Sequence, residues 1–337
     1  MQQELQTASI LALPETAGSA LYGMVDVLAA TGTLWSELTG EPGGRNLIRP
    51  RIVAPTTEPS TCGNGIPVTP EARLDEDRGP GIVIVPELWL APDDDLSDRH
   101  GEAKEWLRAR YREGANIYSA CSGSVLLAAS GLLDGREATS HWGYTDLFRR
   151  RYPAVRFRPE PNLVVADPSC RLVTAGGTTS WHDLAIHVIS RHCSPGEALR
   201  IAKVYLLKWH GEGQLPYASL VRRQPHADAA VRRAEQWLGE NFANPSAVAG
   251  AVAAAGIPER TFKRRFRAAA GSSLIEYVQS LRIEEAKRLL EAGKLPVDKI
   301  AARAGYDNAA FFRRLFRRTT GLRPGDYRRM FQPIAGA

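Results

Sequence analysis

Cysteine is scarce in this chain: Cys62, Cys121, Cys170 and Cys193 are the four among 337 residues, and they are widely scattered. A disulfide framework is therefore not expected. No CxxC pair and no His/Cys cluster has zinc-ligand spacing, so no metal site is expected either. Long apolar runs are missing too. None approaches the roughly 20 residues that span a bilayer. The opening Met1-Gln-Gln-Glu-Leu-Gln6 lacks the basic-then-apolar order of an export signal, which makes a reducing cytoplasm the expected location and a membrane partner unexpected. Low complexity is also absent: 44% hydrophobic and 24% charged residues exclude wholesale disorder and a collagen-like chain. At 337 residues, two domains are expected.

What the sequence does have is an uneven charge. The net +6 is made of a +9 stretch from Asp228 to the end, with 20 Lys+Arg against 11 Asp+Glu, and a −3 stretch before it. A basic third joined to a mildly acidic remainder suits a chain whose one end meets a polyanion.

The first two-thirds alternate strand and helix patterns. Short apolar runs at Ser9–Leu13, Arg51–Ala54, Gly81–Val85, Ala115–Ala120, Leu163–Ala166 and Leu172–Ala175 predict strands. Helical spacing falls over Leu21–Ala30, Ser97–Arg112 (with Ser97 or a nearby Asp as cap), Ser122–Ser130, Thr178–His192 and Pro195–Trp209. Alternation of this kind predicts an α/β domain over residues 1–210: a flavodoxin-like, mainly parallel sheet sandwiched by helices. Residues 211–227, with Gly, Pro and Arg, read as a linker. From 228 to 332 no strand pattern remains, and an all-α domain is expected.

That domain contains a repeat. Shifted by 50 residues, Phe262-Lys263-Arg264-x-Phe266 falls on Phe312-Arg313-Arg314-x-Phe316, Gly271 on Gly321, and Tyr277 on Tyr327. Each copy follows a glycine turn (Gly256, Gly305), and each turn follows a short helix. Helix, glycine turn, basic helix is a helix-turn-helix layout, at about 245–268 and 296–318. In each copy the Phe pair at i and i+4 faces a core while the basic residues project elsewhere. A longer helix carrying Leu274, Tyr277, Val278, Leu281, Ala286, Leu289 and Leu290 separates the two heads.

Residues 228–332 resemble the AraC/XylS transcription-regulator domain. Gly271-x-x-Leu-x-Glu-Tyr277-x-x-x-Leu-Arg282-x-x-x-Ala286-x-x-Leu-Leu290 carries the likeness. So does Ile300-Ala-x-x-Ala-Gly305-Tyr-x-Asn308-x-x-x-Phe312-x-Arg314-x-Phe316, continuing through Gly321, Pro324 and Tyr327-Arg328. The resemblance implies promoter DNA as partner, with RNA polymerase a further one. By position it places DNA contacts on Arg260, Lys263 and Arg264 in the first copy. In the second they fall on Asn308, Ala309, Ala310, Arg313, Arg314 and Arg317. Two of these are alanines, which offer only methyl contacts, and Pro258 replaces the usual Ser cap.

In the first domain, Ala115-Asn-Ile-Tyr-Ser-Ala-Cys121-Ser-Gly-Ser-Val reads strand, tight turn, helix. A cysteine there stands at a helix N-terminus, in the manner of a nucleophile elbow. Leu132-Leu-Asp-Gly135 and Ala138-Thr-Ser-His141-Trp142 follow. These segments resemble the PfpI-like, class I glutamine-amidotransferase-like superfamily, and most nearly its GlxA-like regulators, which are fused to AraC-type domains. The departures bear on function. Hydrolytic members commonly have His after the cysteine, where this chain has Ser122. The superfamily acid would fall near Ala20, with Glu15 as a substitute. A nucleophile needs a base and a group orienting that base; His141 is a candidate base without an orienter. No catalytic residue, metal or cofactor is expected.

Ligands of parallel α/β sheets sit at the carboxyl ends of the strands. A pocket is therefore expected from Glu15, Glu87, Cys121, Ser122, His141, Trp142, Gly177, Thr178 and Trp181, each Trp having plain core as its other reading. The resemblance implies a small-molecule effector, with an amine or quaternary ammonium compound on a cation–π site as one form, and a homodimer through the first domain. Three roles for Cys121 stay open: an inert core residue, the lining of a ligand cavity, or the nucleophile of a cysteine amidohydrolase or isonitrile-hydratase-like enzyme with a regulatory tail. Thiol-based redox sensing is a further alternative.

Overall fold

The computed structural model describes residues 4–42, 44–79, 81–219 and 227–335. The chain divides into two compact units, Met1–Gln214 and Leu215–Ala337.

In the first unit the strands are β1 (Gln6–Leu11), β2 (Ile48–Ala54), β3 (Ser60–Cys62), β4 (Ile66–Val68), β5 (Ala72–Arg73), β6 (Ile82–Val85), β7 (Asn116–Ala120), β8 (Glu137–Ala138), β9 (Arg156–Phe157), β10 (Leu163–Val165) and β11 (Leu172–Ala175). Its helices are α1 (Gly18–Ala29), α2 (Leu34–Thr39), α3 (Gly101–Arg112), α4 (Gly123–Ala129), α5 (Thr145–Arg151), α6 (Trp181–His192) and α7 (Pro195–Val204). Seven strands form one sheet in the order β10-β11-β7-β6-β1-β2-β5. Every pair is parallel except β10–β11. Setting aside the two-residue edge strand β5, the long parallel strands lie second-first-third-fourth-fifth, the flavodoxin-like order.

The sheet is buried on both faces, which is why its strands read as unbroken apolar runs. In β6 the alternation is visible: Val83 and Val85 join a core with α3, α4 and α5. Ile82 and Ile84 join the opposite core with α1, α6 and α7. Chain order reverses between β1 and β6, so the crevice beyond their carboxyl ends is the topological switch point.

Two predicted helices differ. Ser97 does not cap α3: its amide donates to Asp95 Oδ1 at 3.0 Å in a turn of its own. The helix starts after His100, whose left-handed backbone (φ 54°) supplies no side-chain cap. Helix α7 stops at Val204 rather than Trp209, because Leu206 also turns left-handed (φ 55°).

A partly buried polar cluster is expected to make this unit acid-sensitive. Tyr118 Oη lies 2.8 Å from His192 Nε2, and His192 Nδ1 lies 2.9 Å from Gln6 Oε1. Burial pushes His192 down to about 4, with help from Arg191 and His187. An unfolded histidine titrates near 6.5, so the unfolded chain binds this proton first as pH falls. The stability held by neutral His192 is complete above about 6.5 and is lost as pH drops toward 4. The melting temperature of the full chain is expected to fall between pH 7 and pH 5, and less steeply in His192→Gln.

The second unit holds α8 (Ala229–Asn241), α9 (Ala247–Ala255), α10 (Glu259–Ala270), α11 (Leu274–Ala292), α12 (Val297–Arg303), α13 (Ala309–Thr320) and α14 (Pro324–Ala335). Asp228 caps α8, accepting from the amides of Ala230 and Val231, and its bidentate pair with Arg265 holds its carboxyl at about 2. Ser273 and Glu276 close a capping box on α11. That helix is the shared rod of two small cores. Leu274 and Val278 pack with α8, α9 and α10 around Phe262 and Phe266. Ile283, Ala286 and Leu290 pack with α12, α13 and α14 around Phe312 and Phe316. In the second turn Gly305 has φ +87°, and a Cβ there would stand 2.5 Å from the Ala243 carbonyl oxygen. Left-handed backbone and close approach both demand glycine at that position.

Part of the stretch read as a linker, residues 220–226, lies outside the described residues. Its beginning is not linker-like. Gln214 is buried in the first unit, its Nε2 donating to the carbonyls of Ser140, Pro159 and Pro161 and to Thr139 Oγ1. Gly and Pro around it reflect tight packing, not freedom.

Candidate functional site

The elbow after β7 forms as its sequence suggests. Cys121 has φ +51° and its amide donates to Ala175 O, while α4 starts at Gly123. A Cβ on Gly123 would sit 2.5 Å from the carbonyl oxygens of Val85 and Pro86, so only glycine lets α4 approach β6. Ser122 is a clasp: its Oγ accepts from Leu88 N at 2.8 Å and donates to Leu88 O. It ties the elbow to the segment after β6.

Cys121 is 2% exposed. Its Sγ donates to Glu87 Oε1 at 3.5 Å, and Thr178 Oγ1 donates to the same oxygen at 3.2 Å. Three strand ends thus meet: β6 brings Glu87, β7 Cys121 and β11 Thr178. Burial, then the Glu87 charge, pushes the thiol far above its ordinary range. Burial also raises Glu87, against the hydrogen bonds from Cys121 and Thr178. Its second oxygen, Oε2, is buried with no hydrogen-bond partner among the described residues.

The other expected members do not all join this set. Glu15 is turned to Arg99 and His100, with Oε1 at 3.2 and 3.1 Å. It does not act as a stand-in acid for Cys121; that place is taken by Glu87. His141 Nδ1 accepts from the Gly143 amide at 3.0 Å, and its ring packs on Trp142 at 4.8 Å. Burial lowers its pKa. No hydrogen bond joins His141 to Cys121 among the described residues. Gly177 faces this ring, where a Cβ would stand 3.6 Å from His141 Cδ2. The Trp142 amide donates to Gln214 Oε1 at 3.2 Å. Trp181 is partly buried and packs against the core under α1, with its ring where a Cβ on Gly23 would be.

Sequence reasoning missed Gln214, hidden in a Gly/Pro-rich stretch, and Tyr144, whose hydroxyl donates to Leu90 O at 2.9 Å beside the site. A cavity of about 350 Å³ lies elsewhere, between α3 and residues 74–78, lined by Asp75, Asp77, Glu102, Trp106 and Arg110 among others. It contains none of the expected pocket residues.

In the second unit the repeat places equivalent side chains on equivalent surfaces. Arg260, Lys263 and Arg264 are exposed on α10, and Ala310, Arg313, Arg314 and Arg317 on α13. Not all are available. Lys263 pairs with Glu259 at 2.5 Å, and Arg313 with Asp298 at 2.5 Å. Asn308 is the cap of α13, its Oδ1 accepting from Phe311 N at 2.8 Å. Pro258 precedes α10 without a side-chain cap. Arg260, Arg264, Arg314 and Arg317 have no side-chain ion pair or hydrogen bond among the described residues.

Residues 30–191 match the DJ-1/PfpI family, and residues 251–330 match a helix-turn-helix domain. Over 294 residues the chain is 26% identical to the HTH-type transcriptional regulator CdhR of Pseudomonas aeruginosa, spanning 84% of this chain and 82% of that protein. It is 27% identical over 239 residues to the HTH-type transcriptional regulator GlxA of Rhizobium meliloti, spanning 68% and 72%. A crystal structure of a candidate transcriptional regulator from Vibrio parahaemolyticus aligns over 61% of this chain and 100% of its own, with TM-score 0.50 and 17% identity, a likeness of fold.

Proposed function

We infer that this chain, which joins a DJ-1/PfpI domain to an AraC-type helix-turn-helix domain, is a DNA-binding transcription regulator whose first domain binds a small-molecule effector. One observation carries the DNA half. Arg264 and Arg314 stand at the same place in two copies of one motif, exposed and unpaired among the described residues, on cores complete without them. Guanidinium groups on such a helix can take guanine edges bidentately or neutralise phosphates. Arg260 and Arg317 extend the same surfaces. Lys263 and Arg313 would first leave their carboxylate partners, so their contribution is smaller.

For the effector half we propose the crevice beyond β1 and β6, with Glu87, Cys121 and Thr178 at its floor. The buried Glu87 Oε2, without a partner, supports it: a buried polar atom of that kind calls for a donor. An amine or another N–H donor would supply one. The enzyme reading is disfavoured by geometry. The Nδ1 lone pair of His141 accepts from the Gly143 amide, and the thiol is buried, raised in pKa and turned to a carboxylate. A dimer through the first domain would present two pairs of heads to DNA.

The test uses the full chain on DNA selected from a random pool. Arg264→Ala and Arg314→Ala are each expected to weaken specific binding by about 1–3 kcal/mol, read by electrophoretic shift. Undiminished specific binding by both variants overturns the assignment. In parallel, the wild type should show effector-dependent transcription and no turnover of small amides; turnover that Cys121→Ala loses would restore the enzyme reading.

A further inference from the structure

The two DNA-facing helices are copies in register but not in chemistry. With the shift of 50 residues, Arg264 falls on Arg314, yet Arg260 falls on Ala310 and Thr261 on Phe311. The first turn of α10 is polar; that of α13 is apolar.

Phe311 is not core. It is 41% exposed, while its neighbours Phe312 and Phe316 are fully buried and complete the packing of α12, α13 and α14. Nor does its ring swing freely. It rests 6.0 Å from the ring of Tyr306, which lies beneath the Arg282 guanidinium at 5.2 Å. The backbone of this turn is pinned as well, since the Asn308 cap holds the Phe311 amide at 2.8 Å. On a helix, Ala310, Arg314 and Arg317 share one face, and Phe311 lies three residues from Arg314 along its edge. Arg313, which could have added a polar contact here, is drawn toward α12 by Asp298 at 2.5 Å.

In helix-turn-helix proteins the N-terminal residues of the second helix meet the base edges. Among the groups in the major groove, the thymine 5-methyl is the one that is apolar. Resting on the regulator reading above, we propose that α13 reads thymine: Phe311, with Ala310 beside it, packs against a thymine 5-methyl group in the half-site under the second head. Arg314 supplies the neighbouring polar contact. Under the first head, Arg260 and Arg264 read by hydrogen bonds, so the two half-sites differ in kind.

The experiment uses the full chain on its selected DNA site, with each thymine replaced in turn by deoxyuridine, which removes the methyl and keeps the pairing. In the wild type, one or two positions confined to one half-site should weaken binding about four-fold each, the worth of one buried CH₂-sized group. Phe311→Ala should lose that sensitivity at those positions and Phe311→Leu should retain it, both keeping the circular dichroism and melting of the wild type. Specific binding that no deoxyuridine substitution weakens overturns the proposal while leaving the regulator reading intact. Equal deoxyuridine sensitivity in Phe311→Ala overturns it too. A wild-type chain that selects no sequence removes the regulator reading and this proposal with it.

Discussion

Phe312→Ala is expected to destabilise the second unit by about 3–5 kcal/mol, the usual cost of truncating a fully buried phenylalanine. Phe312 has no exposure, and it sits 5.5 Å from the Tyr306 ring and 5.6 Å from that of Phe316. The core around it is small, drawn from α11, α12, α13 and α14 with Ala304 and Tyr306 of the turn. A cavity there cannot be shared among many neighbours. Because each small core holds one DNA-facing helix at its angle, affinity for DNA should fall together with stability. Chemical denaturation of the full chain followed by circular dichroism is the check. An early transition carrying the helical signal of the second unit is the expected result, and an unshifted curve would mean that this core is not the one holding α13. Phe311→Ala, one residue away but on the exposed side, should leave the curve in place. The contrast separates packing from contact.

A loss of similar size is expected from Asp77→Ala in the first unit. Asp77 is 1% exposed and accepts from Arg110 Nε at 2.9 Å, from Ser9 Oγ at 2.7 Å and from Arg51. The Arg110 side chain is itself buried, and its remaining carboxylate, Glu113, stands 3.5 Å away. Removing Asp77 strands a guanidinium in a poorly solvated place, which typically costs about 3–5 kcal/mol. The cost comes from the orphaned charge, not from the worth of the pair. The double variant Asp77→Ala with Arg110→Met should therefore recover much of the loss in urea denaturation. If the double variant is no better than the single one, the orphaned-charge account is wrong and lost packing is the cause.

The parts of this molecule that could be read before folding are those with a local period. The unbroken apolar run of β6, the elbow at Cys121 and the repeated Phe-x-x-x-Phe helices are written within a few residues of themselves. Backbone geometry turns such spacing directly into a face or a turn. The helix-turn-helix pair was legible for this reason, and so was the mainly parallel sheet implied by alternating strands and helices. Cap residues were less so. Ser97 looked like a cap, but the backbone of His100 set where α3 begins.

Pairings between distant residues were a different matter. Glu15 was expected near Cys121 and is held instead by Arg99 and His100, 84 and 85 residues on. Gln214 looked like linker, yet it bridges Thr139, Ser140 and Pro161. Arg313 and Arg314 are adjacent in sequence, and only Arg313 finds an acid across the turn. The amino-acid order alone determined which elements form, where the chain changes class, and that two basic helices recur. The tertiary structure decided which acid holds the cysteine, where the histidine turns, and which arginines are left open. A hydrogen bond depends on tenths of an ångström between groups that only the assembled sheet and helices bring together, and no local spacing encodes that.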